Sequence, residues 1–212
     1  MIRSLLATAL LSAASLATSA IAEPVTFDFA DPKGVNGVAF VMDSALEPIV
    51  GAVGGIAGTV SYDPADPASL SGHVSVDMGQ VSFVNPGMAK ALKGPRWLGF
   101  DGSYPATMHF DSAVLKTAEN PDEPIVTVTG RMVLGEVEVP MTVDVSVAHH
   151  ADGAKKRGAA KSGDLLVLRS MFRLDRAALG INPGAPTDKV GPEIMVMVPI
   201  CLLYTSPSPR DS

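Results

Sequence analysis

Four histidines and one cysteine are the residues of this sequence best suited to metal binding or nucleophilic catalysis. His73 and His109 each alternate with polar neighbours, so we expect both on solvent-facing sides of strands. His149 and His150 are adjacent, and adjacent strand residues point to opposite faces, which argues against a shared metal site. The sequence contains no G-x-S-x-G motif and no phosphate-binding glycine loop. We therefore predict a protein that is not an enzyme and holds no metal or cofactor.

The composition indicates a folded, acidic protein. Hydrophobic residues make up 47% of the 212 residues and charged residues 18%, which excludes a disordered chain. The net charge of -6 argues against nucleic acid as the main partner. Because 20 glycines and 17 prolines accompany few helix-period segments, the composition favours a single all-β domain.

The strongest periodic signal is the alternation of apolar and polar residues from Val137 to Val147, which predicts a long strand with one buried face. Pro140 cannot donate a ladder hydrogen bond, so this stretch should begin at an edge, a bulge or the start of the strand. A second run, Ile125 to Leu134, precedes it, and Gly135-Glu136 between them predicts a tight hairpin. The other predicted strands are Val25–Phe29, Gly37–Asp43, Gly55–Tyr62, Ser71–Asp77, Thr107–Leu115, Leu165–Arg173 and Glu193–Val198.

Helical segments are few. Only Pro86–Leu92 and Arg176–Leu179 have a helical pattern, and both are short. Many strands separated by Pro- and Asn-rich turns predict an antiparallel sandwich or barrel. The alternation within the strands favours a sheet that curls around an apolar interior.

The N-terminus has the three-part pattern of a cleavable secretory signal. Arg3 precedes an Ala/Leu/Ser run, and Ala20-Ile21-Ala22 places small residues at the cleavage site. A membrane anchor is the weaker interpretation, because the apolar run is short and no stop-transfer charges follow it. We expect residues 1–22 to be a signal peptide, the mature protein to be periplasmic, and no stable membrane span to remain after cleavage.

The C-terminus is unusual. The eleven residues from Cys201 to Asp211, CLLYTSPSPRD, resemble the translation of a common transposase-based sequencing adaptor. A natural polar tail is the alternative. We expect residues 201–212 to be a non-native tail outside the fold, which places the domain at residues 23–200. The only cysteine of the chain lies in this tail, so we expect no native cysteine and no disulfide.

Three blocks resemble the YceI-like family of exported lipid- or polyisoprenoid-binding proteins. They are Gly58–Pro64 (GTVSYDP), the segment from Trp97 to Ser112 with its Tyr104-Pro105 step, and Thr129–Pro140. Asp175–Ile181 is a weaker fourth block. Their order and spacing extend over nearly the whole of residues 23–200. The resemblance implies an antiparallel, lipocalin-like β-barrel of about eight strands with short helical segments.

The chain also departs from the family pattern. The early family motif H-S-x-[IV]-x-F is absent, and Lys33–Phe40 lies in its place. Gly87–Leu92 replaces the polar Arg-Asp-x-His segment that precedes the aromatic block. Polar ligand contacts attributed to those motifs therefore do not carry over, and we interpret the chain as a divergent member.

The interior defines the expected function. The resemblance implies a lined tunnel that holds a long apolar ligand, a polyisoprenoid or a fatty-acyl lipid, for transport or storage. Flexible methionines suit such a chain. The residues alone leave a side-chain-filled barrel open, which would make the protein a periplasmic interaction or accessory module. Arg176 either contacts an anionic head group or holds a turn together. The residues predicted to line the barrel are Phe40, Phe110, Val126, Val128, Met132, Val139, Met141, Val143 and Val196.

Overall fold

Antiparallel strands make up most of the structure, which confirms the all-β prediction. The computed structural model describes residues 24–29 and 31–205. The predicted signal peptide, residues 1–22, lies outside the described residues. In the described part of the chain, the strands are Val25–Asp28 (β1), Val38–Met42 (β2), Ile49–Val53 (β3), Ala57–Asp63 (β4), Asp66–Asp77 (β5), Val81–Phe83 (β6), Pro105–Thr117 (β7), Ile125–Leu134 (β8), Val137–His150 (β9), Gly163–Asp175 (β10) and Glu193–Thr205 (β11).

Eight strands close into a ring, which confirms the predicted barrel. The ring runs β1-β4-β5-β7-β8-β9-β10-β11, and a pairing between β1 and β11 closes it. The remaining strands β2, β3 and β6 form a three-stranded extension, the flap, which pairs with β11 through β2. One edge of β11 therefore carries both β2, near Val196, and β1, at Leu203.

Asn36 joins these two pairings along the edge of β11. Its side-chain amide donates to the carbonyl oxygen of Cys201 at 2.7 Å, and the Cys201 N–H donates to the Asn36 Oδ1 at 2.9 Å. The carboxamide thus makes the two hydrogen bonds that a strand residue would make at this point of the ladder. The backbone groups of β11 stay paired between β1 and β2.

The predicted hairpin and the position of Pro140 are both confirmed. β8 and β9 pair antiparallel from Leu134 and Val137 onward, with the turn at Gly135-Glu136. β10 pairs with β9 only over residues 145–150, so the first half of β9 has a free edge. Pro140 lies in that half, where a missing N–H does not break a ladder with β10.

The barrel interior has two hydrophobic clusters, one at each end. The first, here called the packed end, is closed by β1 and β4; its fully buried members include Phe27, Val60 and Leu166. The second, here called the cavity end, is closed by the flap and includes Val38, Ile49 and Val196. Along any strand, every second residue faces inward, so one strand contributes to both ends.

Four details differ from the sequence predictions. β3 and β6 were not predicted: Gly51 and Ala52 interrupt the alternation of β3, and β6 has three residues. The Pro86–Leu92 helix is confirmed as α1, Pro86–Lys93, whereas Arg176–Leu179 forms a turn and not a helix. A short helix, Gly153–Arg157 (α2), also forms. Residues 201–205, predicted to lie outside the fold, complete β11, because β10 offers backbone partners as far as Gly163.

Candidate functional site

A cavity of about 320 Å³ lies inside the cavity end of the barrel. Its wall comes from β2, β3 and β6 of the flap, from the ring strands opposite, and from α1. All wall residues are apolar except Glu47 and Ser170. This volume lies within the range of small-molecule sites, which are concave and mostly apolar. Such a wall offers burial to hydrocarbon and few hydrogen bonds to a polar ligand.

The flap forms one side of this cavity through an aromatic contact. The rings of Phe40 on β2 and Phe83 on β6 meet edge to face, with centroids 5.3 Å apart. Gly51 lies between them on β3, and a Cβ at this position would come within 2.3 Å of the Phe40 ring. Gly51, which weakened the strand signal in the sequence, therefore leaves the space beside β3 that the Phe40 ring occupies.

Helix α1 and the segment after it form a further part of the wall, beside β6 of the flap. Pro86 begins the helix, and the Asn85 side chain caps it by accepting from the Gly87 N–H at 3.0 Å. Leu92 and the half-buried Trp97 face the cavity. Ala91 also lines the cavity although it is exposed, and so does Glu47 on the β2–β3 loop. The cavity therefore opens to solvent between this loop and α1.

Asp77 fixes the rim of the cavity beside Met78, a wall residue. Its carboxylate accepts the backbone N–H groups of Tyr104 and Gly79, each at 2.9 Å. These hydrogen bonds, led by the one from Tyr104, lower the pKa of Asp77 below its usual value of 3.8. The ionised carboxylate thus ties the end of β5 to the start of β7.

Arg176, predicted either to contact a head group or to hold a turn, is not a residue of the cavity wall. Its side chain is 1% exposed and donates to the carbonyl oxygens of Gly191, Ile181 and Asn182. These bonds fold residues 176–192, the segment after β10, across the part of the cavity end where β9 and β10 do not pair. Leu179 and Ile181 of this segment then complete the wall. In the structure the Arg176 side chain holds this turn.

The structure divides the nine predicted lining residues between the two ends. Val126 and Val128 face inward but are fully buried in the packed end. Met141 packs against the same cluster, and Val139 packs against the cavity-end cluster, although neither lies on the cavity wall. The predicted residues that the structure places on the wall are Phe40, Phe110, Met132, Val143 and Val196.

Sequence reasoning missed several wall residues. Phe172 and Leu174 continue the inward alternation of Leu166 and Leu168 on β10, so the same periodic signal could have found them. Trp97 stood in the aromatic block that carried the family resemblance. Other wall residues, from the β2–β3 loop and the segment after β10, lie outside regular strands, where periodicity gives no signal.

The histidines lie outside the cavity. His73 and His109 stack across neighbouring strands with ring centroids 5.9 Å apart, on the faces opposite to the inward Val74 and Met108. His149 pairs with Asp164 at 3.0 Å. Within residues 24–29 and 31–205, no three His, Cys, Asp or Glu side chains are close enough to hold a metal ion. None of the described helices is long and apolar enough to cross a bilayer.

An antiparallel ring of eight strands around an apolar cavity is the architecture of lipocalin-like barrels. The family model of the YceI-like domain matches residues 23–201, and the chain belongs to this family. The sequence resemblance is thereby confirmed. No curated protein gives a significant sequence match to this chain.

Solved structures with the same fold are distant in sequence. Burkholderia cenocepacia BcnA aligns with a TM-score of 0.61 and 19% identity over 80% of this chain and 96% of that chain. The Campylobacter jejuni YCEI protein aligns with a TM-score of 0.57 and 12% identity over 74% and 85%. A polyisoprenoid binding domain from Saccharophagus degradans, implicated in plant cell wall breakdown, aligns with 0.56 and 11% over 87% and 99%. The low identities agree with a divergent member.

Proposed function

We propose that this protein is an exported, periplasmic binding protein that holds a long apolar molecule, such as a polyisoprenoid or a fatty-acyl lipid, for transport or storage. The observation that carries the proposal is the apolar cavity at one end of the barrel, with its opening between the β2–β3 loop and α1. The proposed role is binding without catalysis, and the barrel supplies shape and apolar surface to the ligand.

Burial of hydrocarbon provides the binding energy in this proposal. Each buried methylene contributes about 0.8 kcal/mol, so a dozen would contribute about 10 kcal/mol before the cost of association. Met42, Met78, Met88 and Met132 on the wall can adjust to ligands of different shape, because methionine side chains are unbranched and flexible. A polyisoprenoid binding domain among the structural neighbours supports an isoprenoid chain as one candidate ligand.

The first test is extraction of the purified protein with organic solvent, followed by mass spectrometry. We expect a molecule with a long hydrocarbon chain in the extract. Trp97, the only tryptophan of the chain, lies on the cavity wall and reports on ligand entry by fluorescence. Stripped protein titrated with geranylgeraniol or dodecanol should show a saturable change in Trp97 emission. A ligand-free extract together with no fluorescence response to either probe would refute the proposal.

A signal-cleavage assay tests the location. When the full chain is expressed in a Gram-negative host, the periplasmic fraction should contain protein that begins at Glu23, as shown by N-terminal sequencing. Replacement of the residue at the cleavage site, Ala22→Pro, should leave an uncleaved precursor. Cytoplasmic protein that retains residues 1–22 in the unaltered chain would contradict export.

A further inference from the structure

Glu47 is the charged residue of the cavity wall among the residues that the structure describes. The other polar wall residue is Ser170, whose hydroxyl donates to the carbonyl oxygen of Asp144 at 2.7 Å and so has a partner within the fold. We propose that Glu47 makes the cavity selective for chains that end in a hydrogen-bond donor, such as an alcohol or an amine, over matched carboxylates and phosphates. This inference rests on the proposed function and specifies its ligand class.

The backbone of Glu47 is fixed at the opening of the cavity. The Ser44 hydroxyl accepts from the Glu47 N–H at 3.0 Å and donates to its carbonyl oxygen at 2.8 Å, which forms a tight turn. The next residue back, Leu46, donates its N–H to the carbonyl oxygen of Asp188 at 2.9 Å and attaches the loop to the segment after β10. The Glu47 carboxylate itself has no hydrogen-bond or ion-pair partner among the described residues. Its acceptor oxygens are therefore available at the place where a ligand's polar end would emerge.

No positive charge on the described wall offsets this carboxylate. Arg176 is buried against backbone carbonyl oxygens. Lys93 of α1 donates to the Gly79 carbonyl oxygen at 3.0 Å and lies over the Phe100 ring. Lys90 on α1, and Lys189 next to the Asp188 that holds the loop, are exposed and are not wall residues. An anionic head group at the opening therefore meets a like charge first.

The size of this repulsion is large enough to measure. Two unit charges about 5 Å apart change affinity by about fourfold in bulk water, and by more than tenfold at the lower dielectric constant near a protein surface. An alcohol has no such penalty, and its hydroxyl can donate to the carboxylate. Because Glu47 is exposed, added salt should weaken the discrimination against anions.

The test is a set of Trp97 fluorescence titrations at pH 8, with dodecanol below its solubility limit and with dodecanoate and dodecyl phosphate below their micelle concentrations. An ionised head group is itself harder to desolvate, so the informative quantity is the change in the alcohol-to-anion affinity ratio between variants. We expect this ratio to fall at least fivefold in Glu47→Gln and further in Glu47→Lys. Glu119→Lys makes the same change of charge on the β7–β8 loop at the packed end and should leave the ratio unchanged.

The outcomes separate this inference from the proposed function. If all three probes bind but the ratio in Glu47→Lys stays within twofold of the unaltered protein, the inference is refuted and the binding function stands. Tighter binding of dodecyl phosphate than of dodecanol by the unaltered protein also refutes it. If none of the probes binds, the proposed function and this inference both fail.

Discussion

The packed end and the cavity end of the barrel share most of their strands, yet one is filled with side chains and the other is hollow. β10 illustrates this, because Leu166 belongs to the packed cluster and not to the wall, Leu168 belongs to both, and Leu174 lines the cavity. The difference lies in what closes the ring. At the packed end the circuit continues from β11 to β1, β4 and β5, whereas at the cavity end it continues to β2, β3 and β6.

The extra strand explains the hollow end. β1 and β2 pair with the same edge of β11, one at each end of the barrel. β4 is the next partner of β1 and β3 is the next partner of β2, and β3 leads directly into β4, so β3 and β4 occupy equivalent places at the two ends. β6 is a strand outside the eight-stranded ring, whereas at the packed end β4 pairs directly with the ring strand β5. Because barrel diameter grows with strand number, one added strand with helix α1 beside it widens the interior beyond what the wall side chains fill. Local strand count therefore decides where this barrel can hold a ligand.

The largest expected effect is a difference in stability between the two ends of β10. Leu166 is fully buried in the packed end, so Leu166→Ala should leave a new cavity and lower the free energy of unfolding by about 3 kcal/mol. Leu174→Ala only enlarges an existing cavity and should cost about 1 kcal/mol. Urea unfolding of both variants measures the difference. Equal losses would show that the cavity end is as tightly packed as the other end.

A second matched pair on β7 tests the comparison in the opposite direction. Ala106 lines the cavity, and Ala113 packs against the packed-end cluster. Ala106→Phe should fill the cavity, leave stability unchanged or higher, and weaken binding of a C12 alcohol at least tenfold. Ala113→Phe should overpack its surroundings and cost about 2 kcal/mol, with affinity retained. If Ala106→Phe binds the alcohol normally, the cavity is not the binding site.

The sequence allowed a good prediction of the barrel and of which face each residue occupies. The alternation from Val137 to Val147 placed the inward face of β9 correctly, and the Gly135-Glu136 turn fixed its register with β8. Alternation predicts which face of the sheet a residue occupies, but not its position along the barrel axis. Val126 and Val128 therefore received the same prediction as Met132, although only Met132 reaches the cavity.

The cavity itself depends on features that periodicity does not detect. β3 has valine and alanine where polar residues would mark an exposed face, and glycine on its inward face, while β6 is too short to give a pattern. Glu47 lies on a loop, and its place at the opening follows from its turn with Ser44 and from the hydrogen bond that its neighbour Leu46 donates to Asp188, far along the chain. Such positions are set by tertiary packing and not by local sequence.

Asn36 joins the two ends at the edge of β11, and its removal should loosen this junction. Asn36→Ala leaves the N–H and carbonyl groups of Cys201 without their partner and should cost about 1–2 kcal/mol. Asn120→Ala, in an exposed turn, is the control and should cost less than about 0.5 kcal/mol. Amide hydrogen exchange at residue 201 should accelerate in the first variant only. Unchanged exchange would mean that β1 and β2 hold β11 without this side chain.

The smallest expected effect is a loss of stability in alkali that originates at the packed end. Burial, followed by the nearby charges of Asp63 and Asp66, raises the pKa of Tyr62 above its usual value of 10.0. The folded state thus holds the phenol proton more tightly than the unfolded state, so this contribution is complete below pH 10 and is lost as the pH rises through the folded pKa. Unfolding curves from pH 8 to 11 should fall less steeply in Tyr62→Phe. Parallel curves would exclude Tyr62 as the source.

The most direct test of the account is to locate a bound chain within the barrel by NMR. Intermolecular nuclear Overhauser effects, which are lost beyond a few ångströms, should connect a bound long-chain alcohol to the methyl groups of Ile49, Leu174 and Ile194 on the cavity wall. The methyl groups of Val60 and Leu70, fully buried at the packed end and absent from the wall, should show none. Such effects at both ends, or at neither end under conditions where Trp97 reports binding, would contradict a ligand site confined to the cavity end.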